Sequence, residues 1–199
     1  MLKAWLARTI SRFETQWNYD ASYMRDLLDA GAGRFVRFGL VASLGHGTAA
    51  PLEARAAASI LATLREDCGP CTQIGVDMAE KGGVDPAVLR AILAGDCAAM
   101  SEAAAIGYRF AGAVLDHDGP AADELRVVIE TLWGKSAVVD LSLAITVGRI
   151  YPTVKFGLGH AKTCSRVTVS GAPVPFHSPE PSASSQSGHR FGVKEALHA

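Results

Sequence analysis

Along most of the chain, apolar residues recur at intervals of three and four, the spacing of one helix face. Over residues 2–13, Leu2, Trp5, Leu6, Ile10 and Phe13 share one side, while Lys3, Arg8 and Arg12 carry the other. This pattern predicts an amphipathic helix that packs on its own domain or on a second subunit, with a membrane surface as the alternative. A second helix is predicted from Ala21 to Ala30, with Met24, Leu27 and Leu28 inward and with Gly31 and Gly33 ending it. Arg34 to Leu44 keeps helical spacing through Phe35 and Phe38, although Gly39 interrupts it. Gly45-His46-Gly47 reads as a loop that leaves His46 exposed.

Thr48 and Pro51 open the next helix, in which Leu52, Ala56, Ile60 and Leu64 repeat every four residues until Asp67. Another helix follows from Cys68 or Pro70 to Lys81 and stops at Gly82-Gly83. Asp85 caps a helix with Pro86 at its first position, and Val88, Leu89, Ile92 and Leu93 face inward. Ser101 caps one with Ala103, Ile106, Phe110 and Val114 buried, and Asp118-Gly119-Pro120 breaks the chain. Leu125, Val128, Ile129, Leu132 and Trp133 then form a helical face closed by Gly134. The most apolar helix starts at Ser136 and is expected at the centre of the bundle or under a subunit contact, with Pro152 bending or ending it. Beyond Gly159 the period changes: Val167 and Val169 alternate with polar residues, suggesting a short strand or extended arm. The Pro- and Ser-rich stretch 172–199 reads as a flexible tail, and the wide spacing of its His177, His189 and His198 argues against a metal site. The reading is all-α, with an N-terminal arm over 1–14, a helical domain over 15–165 and an extended tail over 166–199.

Composition narrows the function classes. The chain has 199 residues, 49% of them hydrophobic, enough for one domain with a sizeable core. With 19 basic and 20 acidic side chains there is no basic excess to suggest a nucleic-acid partner. Four cysteines in a chain of this length do not make a disulfide scaffold, so a reducing cytoplasm is the expected location. The N-terminus lacks the apolar run of a signal peptide, and no uninterrupted apolar stretch of membrane-spanning length stands out.

The chemistry concentrates in Glu66-Asp67-Cys68-Gly69-Pro70-Cys71-Thr72. A cysteine at a helix start and another one turn on bring their sulfurs together, and the free N–H groups there favour a thiolate. Pro70 suits a first helical turn. Ile74 and Met78 continue the stripe of Cys71, so Cys71 is expected to be buried and Cys68 exposed. The pair reads as a dithiol that cycles to a disulfide; two zinc ligands or two ordinary buried thiols are the alternatives. Zinc lacks a second ligand pair, because Cys97 and Cys164 are isolated in sequence. No metal or other cofactor is expected. Glu66, Glu53 and His46 are the candidate proton-relay groups, although Glu66 and Asp67 also place negative charge beside Cys68.

Glu66-Asp67-Cys68-Gly69-Pro70-Cys71, then Gly83-Val84-Asp85-Pro86, Leu89 to Gly95, Ala105 to Ala111 and the final apolar helix follow in an order that resembles the carboxymuconolactone decarboxylase and alkylhydroperoxidase AhpD-like family, over roughly residues 48–158. The resemblance implies an AhpD-like helical bundle that assembles as a homo-oligomer. For the peroxidase branch it implies that Cys71 attacks a hydroperoxide, that Cys68 resolves the sulfenic acid, and that an external thiol or lipoyl-type reductant returns the electrons. Two positions depart from the family pattern. Its histidine four residues after the second cysteine falls on Gly75, and its glutamate falls near Ala56, with Glu53 one turn before. Glu66 and His46 are the substitutes this chain offers. A lactone decarboxylase-like enzyme without redox chemistry and a non-catalytic interaction protein are the other readings the family allows.

Assembly is directly testable. Light scattering at micromolar concentration is expected to show a species larger than the 20.9 kDa chain, and a monomer alone would contradict it.

Overall fold

A computed structural model describes residues 2–160 and 167–175. Its helices are α1 (Leu2–Trp17), α2 (Ser22–Asp29), α3 (Ala32–Leu40), α4 (Leu52–Arg65), α5 (Gly69–Lys81), α6 (Pro86–Ala94), α7 (Glu102–Leu115), α8 (Gly119–Trp133) and α9 (Lys135–Gly157), with a 3-10 helix over Val41–Gly45. Helix starts are fixed locally: Asp85, Ser101 and Asp118 each accept a hydrogen bond from a first-turn amide, of Ala87, Ala104 and Ala121 respectively. The all-α bundle read from the sequence is present, with a small hairpin added. In that hairpin β1 (Val167–Val169) pairs antiparallel with β2 (Ala172–Val174), Val167 opposite Val174. Ser170 and Gly171 both have positive φ, as a tight two-residue hairpin turn requires. Residues 172–174, expected to begin a loose tail, therefore form a strand. The rest of that predicted tail, with His177, His189 and His198, lies outside the described residues, as does Cys164.

The helix at the centre is α4, which packs against α5, α6, α7 and α9. Its alanines Ala54, Ala57, Ala58 and Ala62 are all buried, so the backbones of its neighbours approach on several sides. A Cβ on Gly107 of α7 would lie 2.2 Å from the carbonyl oxygen of Ala54, and one on Gly148 of α9 would lie 2.7 Å from that of Ser59. Helix α9, expected at the centre of the bundle or under a subunit contact, is not the central one: it packs on α4 and leaves Val139 57% and Phe156 77% exposed. Of the two outcomes expected at Pro152, a bend or an end, the helix does not end there. The helix continues to Gly157 with Pro152 buried inside it, giving up only the hydrogen bond that a proline nitrogen lacks. Uninterrupted, α9 is long and apolar enough to cross a membrane by length and composition, which the position of Pro152 concealed in the sequence.

Buried apolar side chains gather in three clusters among the described residues. One joins α4, α5 and α6 through Ile60, Leu64, Val76, Leu89 and Ile92 and takes in Val167 and Val169 of β1. Another joins α4, α7, α8 and α9 through Leu61, Phe110, Ile129, Leu141 and Ile145. In the third, Leu6 and Ile10 of α1 and Tyr23 and Leu28 of α2 pack with Ile74 of α5 and with Tyr151 and Val154 of α9. The N-terminal helices thus lie over the start of α5 and the end of α9. His160 beyond α9 meets Asp26 of α2 at 2.6 Å. On the other side of α5, the amide of Gln73 pairs with the backbone of Thr168 like a neighbouring strand, accepting from its N–H at 2.7 Å and donating to its carbonyl at 3.0 Å.

The close crossing gives a quantitative test. Gly107→Ala is expected to cost about 1–3 kcal/mol through overpacking against the α4 backbone. Gly39→Ala, in α3 with no atom within 4 Å of the added Cβ, should instead raise stability by about 0.5–1 kcal/mol. Urea midpoints of the two variants distinguish these outcomes.

Candidate active site

Helix α4 ends at Arg65, and the chain turns through Glu66 and Asp67. Asp67 has φ 49°, a left-handed conformation that a short polar side chain tolerates better than a bulky one. Its N–H donates to the carbonyl of Leu64 at 3.1 Å, and the next residue, Cys68, is the N-cap of α5. Thr72 N–H donates to Cys68 O at 2.9 Å, closing the first turn. The buried Thr72 hydroxyl lies 3.1 Å from the same carbonyl and 3.3 Å from the hydroxyl of Thr63, which donates to Ile60 O at 2.8 Å. Two threonines therefore fasten the start of α5 to the end of α4.

Across this turn Cys68 and Cys71 are joined by a disulfide, with their Cα atoms 5.2 Å apart. Both are buried: Cys71 is 3% exposed and Cys68 8%. The ordering matches the helical stripe, but Cys68 is not the open residue expected. A periodicity argument sees only the faces of α5 itself and not what the rest of the fold packs against its N-cap. Cys97 is a half-buried free thiol elsewhere. Among the described residues no three potential metal ligands converge.

The group that meets the disulfide comes from the N-terminal layer. Asn18, also at positive φ, turns the chain after α1, and Tyr19 follows with its N–H on Glu14 O at 3.1 Å. The Tyr19 hydroxyl lies 4.0 Å from Cys71 Sγ. Lys155 of α9, 3% exposed, donates from Nζ to the Tyr19 oxygen at 3.2 Å. The same Nζ lies 4.8 Å from the centre of the Tyr19 ring and 5.5 Å from that of Tyr23. Two ring faces and a hydroxyl oxygen are the surroundings a desolvated cation needs. Edge-on contacts extend the cluster from Phe13 through Tyr19, Tyr23 and Phe38 to Tyr151.

Burial is the main cause holding the Tyr19 phenol neutral, with its pKa pushed up to about 12; a hydrogen bond with Tyr23 pulls the other way, and the charge of Asp20 adds to the rise. Burial also raises the pKa of Tyr23, reinforced by Tyr19, and that of Tyr151. The Tyr19 phenol beside the sulfur is thus held neutral.

The other sequence candidates are placed differently. Glu66 borders the cysteine turn, where its carboxylate accepts from Arg149 Nε at 2.6 Å. His46 follows the 3-10 helix with its side chain exposed, and among the described residues it shares no hydrogen bond or ion pair with the cysteine turn. Glu53 accepts a hydrogen bond from Ser101 at the start of α7. A Cβ on Gly75 would meet Ile60 at 3.6 Å. Sequence reasoning missed Tyr19 and Lys155. The one available signal was a lone lysine between Val154 and Phe156 on an apolar helix; Tyr19, in a polar connection, carried none.

Comparison with protein-family models, curated proteins and solved structures returned no match to this chain.

The buried phenol predicts an alkaline signature. An unfolded tyrosine titrates near 10, and Tyr19 in the fold near 12. Between these values the folded chain holds a proton that the unfolded chain has lost, so stability is intact below about pH 10 and falls as pH rises toward 12. In urea unfolding across that window, Tyr19→Phe is expected to give a shallower fall than the parent. An equally steep fall would contradict a buried neutral phenol.

Proposed function

We propose that this chain is a dithiol–disulfide oxidoreductase of the AhpD-like, thiol-peroxidase type, with Cys71 the attacking and Cys68 the resolving residue. The observation that carries the reading is the disulfide across the first turn of α5. The spacing that brings the sulfurs together also leaves the reduced pair at a helix start, where unpaired N–H groups favour a thiolate. The resemblance assigns attack to the second cysteine, and it is this sulfur that lies beside a proton donor.

The reaction balances within the pair. The Cys71 thiolate attacks one peroxide oxygen, forming an S–O bond with two sulfur electrons as the O–O bond breaks. The departing alkoxide takes a proton from a neighbouring acid and leaves as alcohol. The Cys68 thiol then displaces the hydroxyl of the Cys71 sulfenic acid as water, closing the disulfide. An external dithiol or lipoyl-type reductant restores both thiols by exchange, entering at Cys68, the more exposed of the two cysteines. Burial of both sulfurs favours a small hydroperoxide over a protein disulfide as oxidant. The chain acts as a homo-oligomer, with Val127 and Leu132 of α8 and Val139 of α9, all exposed, as the surface for a second copy.

Mass spectrometry after one equivalent of peroxide tests the assignment. The reduced wild-type protein is expected to lose two thiols and close the 68–71 bond, and a dithiol should reverse it. Cys68→Ser should trap a sulfenic acid on Cys71. Cys71→Ser should leave Cys68 reacting at least about tenfold more slowly, as expected for a thiol one pKa unit or more further from ionisation. A sulfenic acid trapped on Cys68 would reverse the roles, and a pair that never closes would end the redox reading.

A further inference from the structure

The family pattern places a histidine and a glutamate where this chain has Gly75 and Ala56, and neither can move a proton. The side chains that reach the reactive sulfur are different ones. Tyr19 lies against Cys71 Sγ, and Lys155 lies against Tyr19, at 4.0 and 3.2 Å respectively. They come from opposite ends of the chain and converge under a layer of aromatic rings that excludes water from the lysine.

Resting on the dithiol reading, we infer that Tyr19 is the catalytic proton donor of the Cys71 site and that Lys155 is its positioning residue. Lys155 Nζ donates to the phenol oxygen, leaving the phenol hydrogen to point toward sulfur. A donor polarised in this way by a cation stabilises the Cys71 thiolate once the disulfide is reduced. The 4.0 Å separation sets the phenol beside the sulfur rather than upon it, within reach of the farther oxygen of a peroxide whose nearer oxygen is being attacked.

The proton route is explicit. As the O–O bond breaks, the leaving alkoxide takes the Tyr19 proton and becomes alcohol. The phenolate takes a proton from the Lys155 ammonium, and the amine recovers one through Tyr19 when the disulfide is reduced and the regenerated Cys71 thiol ionises. A phenol is a weak acid, so its transfer occurs only as alkoxide character develops on the leaving oxygen, and Tyr19 remains protonated between turnovers. Among the described residues, the titratable groups facing this unit include Asp20 and Tyr23 from the α1–α2 side, Tyr151 from α9 and Cys71 from α5.

The test reads protonation of Cys71 directly. In the full-length Cys68→Ser protein, the pH dependence of iodoacetamide alkylation is followed on the Cys71 peptide by mass spectrometry, so that Cys97 and Cys164 do not contribute. The parent midpoint is expected below the ordinary thiol value of about 8.5. Tyr19→Phe and Lys155→Met should each raise it by about one unit, slowing alkylation at neutral pH about tenfold. The double variant should shift no further than either single one, because the two side chains act as one unit. Tyr151→Phe removes a hydroxyl from the same aromatic cluster and should leave the midpoint in place.

An equal shift in Tyr151→Phe would assign the effect to packing and overturn the inference. So would unchanged midpoints in both Tyr19→Phe and Lys155→Met, with wild-type near-ultraviolet circular dichroism showing that the cluster is intact. If Lys155→Met does not fold, Tyr19→Phe decides alone. The two readings fail separately. A wild-type pair that cycles with peroxide while the midpoint ignores both substitutions removes the Tyr19–Lys155 unit and leaves the dithiol. A pair that never closes removes the dithiol.

Discussion

The close approach of α7 and α9 to α4 is the constraint on which the rest depends. Glycine at 107 and 148 and alanine along α4 let three backbones come together with little side chain between them. Such a crossing tolerates little rotation, because a small turn of either helix drives Cβ atoms into carbonyl oxygens. It fixes the direction in which α4 ends, and so where Asp67 turns and Cys68 begins α5. It also sets α9 in register against α4, which places Lys155, seven residues past Gly148, at the level of the disulfide. Packing far from the sulfurs therefore determines which side chains meet them.

A lysine buried this completely has an energetic consequence. Desolvation of an ammonium costs several kcal/mol, so it persists only where its surroundings offset most of that. A cation against desolvated aromatic faces recovers about 2 kcal/mol, and a charge-assisted hydrogen bond about 1.5–3 kcal/mol. Lys155 has contacts of both kinds. A methionine would fill the same space without the desolvation cost.

The helices were largely legible in the sequence because their signals are local. Asp85-Pro86 and Ser101 cap helices where spacing and capping chemistry place them, Asp118-Gly119-Pro120 falls at the break between α7 and α8, and Cys68-Gly69-Pro70-Cys71 carries its own geometry. Inferences that need the third dimension are less secure. The apolar richness of α9 suggests a central helix or one under a subunit contact, whereas the modest alanines of α4 make the centre of this fold. Pro152 suggests a bend or an end because local chemistry disfavours proline in a helix, and the helix continues through it to Gly157. Helical periodicity alone makes Cys68 the exposed cysteine, because it cannot see tertiary packing at the N-cap. Tyr19 lies 52 residues from Cys71 and Lys155 lies 136 from Tyr19, and no short-range pattern joins them.

That separation also links the N-terminal layer to the chemistry. Helices α1 to α3 contribute Phe13, Tyr23 and Phe38 to the rings that surround Tyr19, and Ile74, three residues past Cys71, packs into the same cluster. Holding a neutral phenol and a cation together out of water requires that this layer remain seated. Loosening it would admit water to Lys155, weaken its electrostatic hold on the phenol and free the phenol to turn from the sulfur. The segment resembling a family of redox proteins begins only near residue 48, yet the donor beside its second cysteine is supplied by residue 19. A chain reduced to the resembling segment would keep the disulfide turn and lose the acid. On the proposed mechanism the N-terminal helices are part of the active-site architecture, since they supply and enclose the side chain that lies beside the disulfide.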